Sequence, residues 1–352
     1  MRERGFASRK AESGHGREQT FELFAQDLPS QNLGFVDSRA STLELTVAGR
    51  DFSIHQSPGV LSSNRAGGTT GAVVWKITPL FAEWLASPAS PFFAHGVLSP
   101  SSVAVELGCG IAGLVGLLVA PRISRYVLTD QPYVAKLVEQ NVRDNWPIAA
   151  AAAAAATTVP AGKPAKPARR AAAASSRPAP RRGTAAAAAA VPAGGGPKGI
   201  HFAPLDWETD RATAALTGSE AARSFDVVLA CDCIYNEALV DPFVSTCVDL
   251  CRLRAAEREE GGKEEEVEGE EEEEEKEGGR GVGSTRRGKN PCVCVVAQQL
   301  RDPLVFEAWM ARFASSFHTW RVPDRLLSEG LRSSSGFVVH VGVLKDEITI
   351  GL

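Results

Sequence analysis

A carboxylate, a phenol and two thiols lie close together in the stretch Ala230-Cys231-Asp232-Cys233-Ile234-Tyr235-Asn236-Glu237. The apolar run at residues 225–229 precedes them, so these groups follow the end of a buried strand. Asp232 and Tyr235 could form part of a catalytic pocket, whereas the two cysteines suggest a metal site or a redox pair. Capping and packing of the following helix is the alternative role for Asp232 and Tyr235.

A second candidate is the glycine-rich stretch Glu106-Leu107-Gly108-Cys109-Gly110-Ile111-Ala112-Gly113, which follows the apolar run at 103–107 and matches G-x-G-x-x-G. Asp130 stands about twenty residues further on, as in a dinucleotide fingerprint. Glu106 argues against a pyrophosphate at this turn, because its negative charge favours a ligand that carries positive charge. A turn that holds no ligand is the alternative interpretation.

Polar or aromatic residues follow four successive strands of the pattern. Asp206-Trp207 comes after the third strand, and its ring could flank a purine or belong to the core. Ligands of open α/β sheets bind beyond the carboxyl ends of the strands. A ligand with an amino acid end, a ribose, an adenine and a sulfonium would use all four strand ends.

The chain has seven cysteines, and two pairs have the spacing C-x-C, at 231/233 and at 292/294. Alternation along a strand sends both members of such a pair to one face, while structural zinc sites usually space their ligands by two to four residues. We therefore expect reduced, buried thiols and no metal. His201 and His318 have no partner pattern, and we assign them no role.

The elements that must position these groups alternate along the chain. A β-hairpin is expected at 42–47 and 52–56, and a helix at 79–85, directly after Val74-Trp75. The pattern then predicts strands at 103–107, 126–129, 201–205, 225–231, 292–297, 319–322 and 337–344, and helices at 112–119, 132–145, 238–253 and 304–314. This order predicts a mostly parallel α/β sheet covered on both faces. The last two strands have no helix between them and should pair antiparallel at an edge.

The 352-residue chain has a formal net charge of -4, and its composition changes along its length. Residues 147–197 are rich in Ala, Pro and basic residues, and 257–290 are rich in Glu; we expect both to be disordered insertions. They interrupt a domain at 41–345, between a flexible extension at 1–40 and a tail at 346–352. Without a signal-peptide core or a membrane-length apolar run, we expect a soluble cytoplasmic protein. Arg169-Arg170 and Arg181-Arg182 leave a nuclear location or a partner-binding role open.

The residues at the strand ends resemble a known family. Glu106-Leu107-Gly108-Cys109-Gly110 looks like motif I of the seven-strand S-adenosylmethionine-dependent methyltransferases. Asp232-x-x-Tyr235 resembles the D-x-x-Y motif of the protein-lysine methyltransferases called methyltransferase family 16, and Trp75 resembles a tryptophan of that family's cofactor pocket. The stretches 129–131, 230–236 and 297–301 are most similar to its fungal branch that acts on ribosomal proteins.

This resemblance, which spans about residues 40 to 345 outside the insertions, implies a Rossmann-like class I methyltransferase sheet. It implies S-adenosyl-L-methionine as cofactor and a protein lysine as acceptor, with Asp232 and Tyr235 facing the amine. The cofactor-binding residues that it implies are Trp75, Glu106, Gly108, Cys109, Gly110, Asp130, Trp207 and Ala230. The long insertions depart from compact relatives near the third and fifth strands.

Several functions stay open at this stage. The acceptor could be a large-subunit ribosomal protein, a chaperone or an elongation factor. A nucleic-acid or small-molecule methyltransferase would share motif I, but no basic, aromatic-rich face lies outside the low-complexity segment, and we expect no direct nucleic-acid binding. A non-catalytic cofactor-binding assembly factor is the third class, which the intact Asp232 and Tyr235 disfavour. We expect a monomer, and the sequence does not define the target lysine or the number of methyl groups.

Overall fold

The computed structural model describes residues 15–29, 34–65, 68–157, 197, 199–271 and 290–345. Most of the first 33 residues, the tail at 346–352 and the arginine pairs of the basic segment lie outside the described residues. No helix among the described residues has both the length and the apolar character that crossing a membrane requires.

Nine strands form two sheets among the described residues. They are β1 (Thr42–Val47), β2 (Arg50–His55), β3 (Val103–Leu107), β4 (Arg125–Asp130), β5 (Ile200–Pro204), β6 (Val227–Cys231), β7 (Val293–Gln299), β8 (Phe317–Arg321) and β9 (Phe337–Leu344). The expected hairpin is confirmed as the antiparallel pair β1–β2, in which Thr42 lies opposite His55.

The other seven strands form one sheet in the order β5-β4-β3-β6-β7-β9-β8. Strands β3 to β7 pair in parallel, while β9 runs antiparallel to both β7 and β8 and so provides the expected antiparallel edge. The chain moves outward from β3 to β5 and then returns to the other side of β3 with β6. The mostly parallel Rossmann-like sheet is therefore confirmed, and its switch point lies between β3 and β6.

Eight α-helices accompany the strands in the described part of the chain. They are α1 (His15–Phe24), α2 (Pro58–Leu61), α3 (Ile77–Ala86), α4 (Pro91–Ala94), α5 (Leu114–Val119), α6 (Ala135–Thr157), α7 (Val240–Glu271) and α8 (Pro303–Ser316). The start of α8 shows why these segments are helical: Pro303 occupies the first turn and the Asp302 carboxylate accepts hydrogen bonds from the amides of Leu304 and Val305.

Alternate residues of the strands supply two apolar layers. Val105 and Leu107 of β3 face a layer with Phe243 of α7 and Trp309 of α8, whereas Ala104 faces the layer of α3, α5 and α6. Residues of β3 and β6 are buried on both faces, as expected for the central strands of a parallel sheet. This two-layer burial holds the carboxyl ends of the strands rigidly in place.

The expected boundaries of both insertions were wrong on their N-terminal sides. Helix α6 continues through Pro147 to Thr157 and buries Ala149, and α7 continues to Glu271. Alanine and glutamate are strong helix formers, so a helix that is already nucleated extends into these segments. The remainder of each segment, at 158–196 and 272–289, lies outside the described residues.

Two asparagines of α6 attach the hairpin to the main sheet. Asn145 and Asn141 accept hydrogen bonds from the amides of Ser53 and His55 at 3.0 and 2.8 Å, and their Nδ2 atoms donate to the carbonyls of the same two residues. Asn141 Nδ2 also donates to the carbonyl of Ile111 at 2.8 Å. The backbone amides and carbonyls of Ser53 and His55 in β2 are thus hydrogen-bonded by side chains of α6. Through Asn141 the hairpin is also linked to Ile111 of the glycine-rich turn.

Candidate active site

A cleft opens at the carboxyl ends of β3, β4, β5 and β6, beside the switch point. Nine of the expected site residues line it: Trp75, Glu106, Gly108, Cys109, Gly110, Asp130, Trp207, Asp232 and Tyr235. The tenth, Ala230, is fully buried in the sheet opposite Leu107 and Val296 and is not on the cleft wall. The wall begins one residue later, at Cys231.

The glycine-rich turn forms the floor of the cleft. Gly108 has φ +66°, and a Cβ atom there would lie 2.8 Å from Cys233 Sγ and 3.3 Å from the Trp207 ring. Gly110 has φ +58°, and its amide donates to Asp130 Oδ2 at 2.8 Å. Only glycine combines this backbone conformation with such close neighbours, so the turn leaves its backbone open to a ligand.

Two acids lie beneath this turn, of which Glu106 is buried and Asp130 partly buried. Glu106 accepts a hydrogen bond from the Tyr126 hydroxyl at 2.7 Å, and burial raises the pKa of Glu106 to about 7. Asp130 accepts hydrogen bonds from the amides of Gly110 and Gln131, yet burial raises its pKa to about 6. Both carboxyl groups would gain free energy from a positively charged ligand, because such a ligand stabilises their ionised forms.

An aromatic wall stands on the β5 side. Trp207 packs edge-to-face on Phe243 with a centroid distance of 5.2 Å, and its indole Nε1 is buried without a hydrogen-bond partner in the structure. The Cζ2 and Cη2 atoms of this ring lie 3.3 Å from the position that a Cβ atom on Gly108 would occupy. A half-buried indole that borders the glycine-rich turn can flank the flat face of a purine.

The opposite wall comes from the segment before α3. Trp75 precedes this helix and pairs with Phe35 in an isolated β-bridge. Its Nε1 donates to the Thr70 carbonyl at 3.0 Å, and the Thr70 hydroxyl donates to the Tyr235 hydroxyl at 3.2 Å. Tyr235 is 39% exposed, so its ring borders the mouth of the cleft.

Asp232 has a conformation that is uncommon outside glycine, with φ +63°. Its amide donates to the carbonyl of Ala297, and its side chain is almost fully buried. Both carboxylate oxygens accept hydrogen bonds from Arg301, and Oδ1 also accepts one from the amide of Gln299 at 3.2 Å. The carboxylate expected to face a substrate amine is therefore already paired with a guanidinium.

The cysteines are buried, reduced thiols in the structure. Cys231 and Cys233 pack into opposite layers, contrary to the alternation expected for a C-x-C pair, because the strand ends at Cys231 and Asp232 reverses the backbone. Burial raises the pKa of both thiols well above its ordinary value. They contribute apolar surface to the cleft.

The sequence did not identify several residues of the cleft wall, among them Thr70, Gly71, Gln131 and Tyr133, nor Arg301, which lies behind Asp232. The strand-end rule could have identified Arg301, since it lies two residues after the end of β7. No spacing pattern marks Thr70 or Gly71, whose carbonyl accepts a hydrogen bond from the amide of Ile111 at 2.9 Å. Their position depends on the path of the loop before α3.

Comparison with known proteins finds one family and two relatives that share a name. Residues 55–159 match the lysine methyltransferase family. The ribosomal lysine N-methyltransferase 5 of Zygosaccharomyces rouxii is 34% identical over 109 residues, which cover 27% of this chain and 34% of that protein. Its namesake in Candida glabrata is 24% identical over 273 residues, which cover 61% of this chain and 73% of that protein.

A third relative is of a different kind. A diaminohydroxyphosphoribosylamino-pyrimidine deaminase of Schizosaccharomyces pombe is 33% identical over 129 residues, which cover 36% of this chain and 31% of that protein. The chain thus spans about a third of the length of the Schizosaccharomyces and Zygosaccharomyces relatives.

Proposed function

We propose that this chain is a lysine methyltransferase, like the family that matches residues 55–159, and that it transfers a methyl group from S-adenosylmethionine to the side-chain amine of a lysine in a protein. The observation that supports this most directly is the charge of the cleft. Its lining includes the carboxyl groups of Glu106, Asp130, Asp206, Glu208 and Asp232, and no lysine or arginine among the described residues that line it. Such a lining suits a cationic donor.

The residues present fit this cofactor. The open backbone of Gly108 and Gly110 leaves room for its amino acid part, and the buried Glu106 beneath favours positive charge. Asp130 lies where ribose hydroxyls could donate to it, and Trp207 lies where it could flank the adenine. The bound cofactor would supply an electrophilic methyl group on a positively charged sulfur.

The chain's own residues would place the acceptor amine. A free lysine has a pKa of about 10.4, so its ammonium must lose a proton before the nitrogen can attack. Asp232 would accept a hydrogen bond from the amine and orient its lone pair. Tyr235 would close the mouth of the cleft, where its ring can attract an alkylammonium by about 0.5–2 kcal/mol. Partial burial favours the neutral amine.

For the acceptor we propose a basic protein, in particular a ribosomal protein of the large subunit. The relatives from Zygosaccharomyces and Candida are named for ribosomal lysine methylation. The rim of the cleft is consistent with a basic partner, because Glu208, Asp210 and Glu237 are exposed there or close to it. Chaperones and elongation factors are the alternative acceptors.

The test is transfer of radiolabelled methyl from S-adenosylmethionine to fungal extract, separated into ribosomes and ribosome-free supernatant. Each labelled fraction is digested with protease or with nuclease. We expect label in the ribosomal fraction that protease removes and nuclease leaves. Label sensitive to nuclease would indicate a nucleic-acid methyltransferase, and cofactor binding without any transfer would indicate a non-catalytic factor. Label confined to the supernatant would contradict the ribosomal acceptor.

A further inference from the structure

Arg301 connects three parts of the active-site wall. Its guanidinium donates to Asp232 Oδ1 at 2.6 Å through Nη1 and to Oδ2 at 2.5 Å through Nη2. Nη2 also donates to Gln299 Oε1 at 2.9 Å, and the guanidinium carbon lies 4.9 Å from the centroid of the Trp75 ring. The end of β6, the end of β7 and the segment before α3 are thus joined through one side chain.

The guanidinium lies behind the carboxylate and not in front of it. Asp232 lines the cleft, whereas Arg301 is not among the residues of the cleft wall. The Arg301 side chain is 18% exposed, and that of Asp232 is 2% exposed. A ligand in the cleft would therefore meet the carboxylate first, with a positive charge fixed directly behind it.

We infer that Arg301 is a positioning residue that makes Asp232 accept a neutral lysine amine in preference to a lysine ammonium; this inference rests on the proposed function. A buried carboxylate without a partner would hold an ammonium as its counter-ion and keep it protonated. Once Arg301 neutralises that charge, the remaining lone pairs of Asp232 act as hydrogen-bond acceptors. The proton that the lysine loses goes to solvent before methyl transfer, when the N–C bond forms and the S–C bond breaks.

The other groups near the expected position of the lysine amine do not supply the positive charge that Arg301 places beside Asp232. The thiols of Cys231 and Cys233 and the phenol of Tyr235 have raised pKa values and stay neutral near pH 7. Of the charged groups on the neighbouring strands, Arg301 after β7 contacts Asp232, whereas Glu106 in β3 and Asp130 at the end of β4 line the same cleft. The two acids favour the ammonium, so Arg301 supplies the positive charge that opposes it.

The pH dependence of methyl transfer tests the inference, with ribosomal proteins extracted in acid as acceptor. Arg301→Gln removes the charge, and we expect the rising limb of kcat/KM to move by about one pH unit to higher pH. Arg301→Lys keeps the charge but loses the planar guanidinium that donates to both oxygens of Asp232. We therefore expect a lower rate, with the rising limb of kcat/KM at its wild-type pH. An unshifted limb in Arg301→Gln, or equal shifts in both variants, would overturn the inference.

A binding measurement on the wild-type protein does not depend on the folding of a variant. The protein is saturated with S-adenosylhomocysteine, whose sulfur is uncharged, and tryptophan fluorescence follows the binding of two amines at pH 7.5. We expect 2,2,2-trifluoroethylamine, which is neutral at this pH, to bind at least about tenfold more tightly than ethylamine, which is protonated. Tighter binding of ethylamine would contradict the role of Arg301.

These outcomes separate the inference from the function on which it rests. If the wild-type protein labels no fraction of the extract, the proposed function fails, whatever the amine preference. If the wild-type protein transfers methyl groups but the limb of Arg301→Gln is unshifted, or the wild-type protein binds ethylamine more tightly, the function stands and the inference about Arg301 fails.

Discussion

Arg301 and Asp232 form a bidentate ion pair in which the two residues are 69 positions apart in the chain. Removal of one partner leaves the other as a largely buried charge, so we expect Asp232→Asn and Arg301→Gln each to lower the free energy of unfolding by about 3 kcal/mol. The double variant leaves no unpaired charge. Its loss should therefore fall short of the sum of the single losses by about 1–3 kcal/mol in urea denaturation.

The exposed ion pair of Arg312 and Asp241 is the matched control for this cycle. Its Nε–Oδ1 distance is 2.5 Å, but the Asp241 side chain is 75% exposed. Solvent screens such a pair, and we expect a coupling below about 1 kcal/mol between Arg312→Gln and Asp241→Asn. Equal coupling in the two cycles would mean that burial does not strengthen the Arg301–Asp232 pair.

Asp232→Asn should separate catalysis from cofactor binding. We expect kcat to fall by about 100-fold or more, because the amide cannot orient the amine as the carboxylate does. The Kd for S-adenosylhomocysteine in calorimetry should change by less than about threefold, because Asp232 is expected to contact the acceptor and not the cofactor. Asp241→Asn is the control and should keep wild-type activity. Full methyl transfer by Asp232→Asn would remove this residue from the mechanism.

Cofactor affinity should rise with pH between about 5.5 and 8. In the free protein Glu106 has a pKa of about 7 and Asp130 of about 6, so both are largely protonated at the acid end of this range. A cationic cofactor binds the ionised forms, and its binding must release protons from these groups. We expect about a tenfold gain in affinity over the range, measured by calorimetry in buffers of different ionisation enthalpy.

Glu106→Gln identifies the source of this dependence. The variant should bind the cofactor more weakly at pH 8 and lose the part of the pH dependence near 7, while the part that belongs to Asp130 remains. Glu139→Gln, at an exposed position of α6, should behave like the wild-type protein. Affinity that is independent of pH in the wild-type protein would mean that the cofactor charge is compensated elsewhere.

Gly108→Ala should abolish cofactor binding. The new Cβ would meet Cys233 Sγ at 2.8 Å and the Trp207 ring at 3.3 Å, in a backbone conformation with φ +66°. Gly49→Ala is the control, because Gly49 has φ +70° but no atom within 4 Å of its Cβ position. We expect Gly49→Ala to lower the free energy of unfolding by about 1–2 kcal/mol from backbone strain alone, and Gly108→Ala to lower it further. Equal losses of unfolding free energy in the two variants would show that Cys233 and Trp207 move to relieve the clash.

Acid should destabilise the protein through His340. This imidazole is fully buried, contacts Gln19 Oε1 of α1 through Nε2 at 3.2 Å, and has its pKa lowered from 6.5 to about 3 by burial. The unfolded chain binds a proton below pH 6.5 that the folded protein does not bind, so stability falls as pH decreases from 6.5 towards 3. Between pH 7 and 5 the wild-type protein should lose up to about 2 kcal/mol more than His340→Gln. Parallel pH curves for the two proteins would contradict this.

Much of the architecture could be predicted from local patterns. The alternation at 42–47 and the apolar run at 103–107 predict strands with the observed bounds, since buried strands need a continuous or alternating apolar sequence. The strand-end rule placed Asp130, Trp207 and Asp232 in one cleft because carboxyl ends of parallel strands share an edge. The insertion boundaries at 147 and 257 were missed, because composition does not show how far a nucleated helix extends.

The sequence by itself determined the order of the strands along the chain, the glycine turn and the types of groups that follow each strand, because these depend on neighbours within a few residues. The tertiary structure decided that Arg301 pairs with Asp232 and that Trp75 lies over that guanidinium. It also decided that Ala230 lies inside the sheet and not on the cleft wall. These relations depend on which strands become neighbours, and non-local pairing of this kind leaves no periodic signal in a single chain.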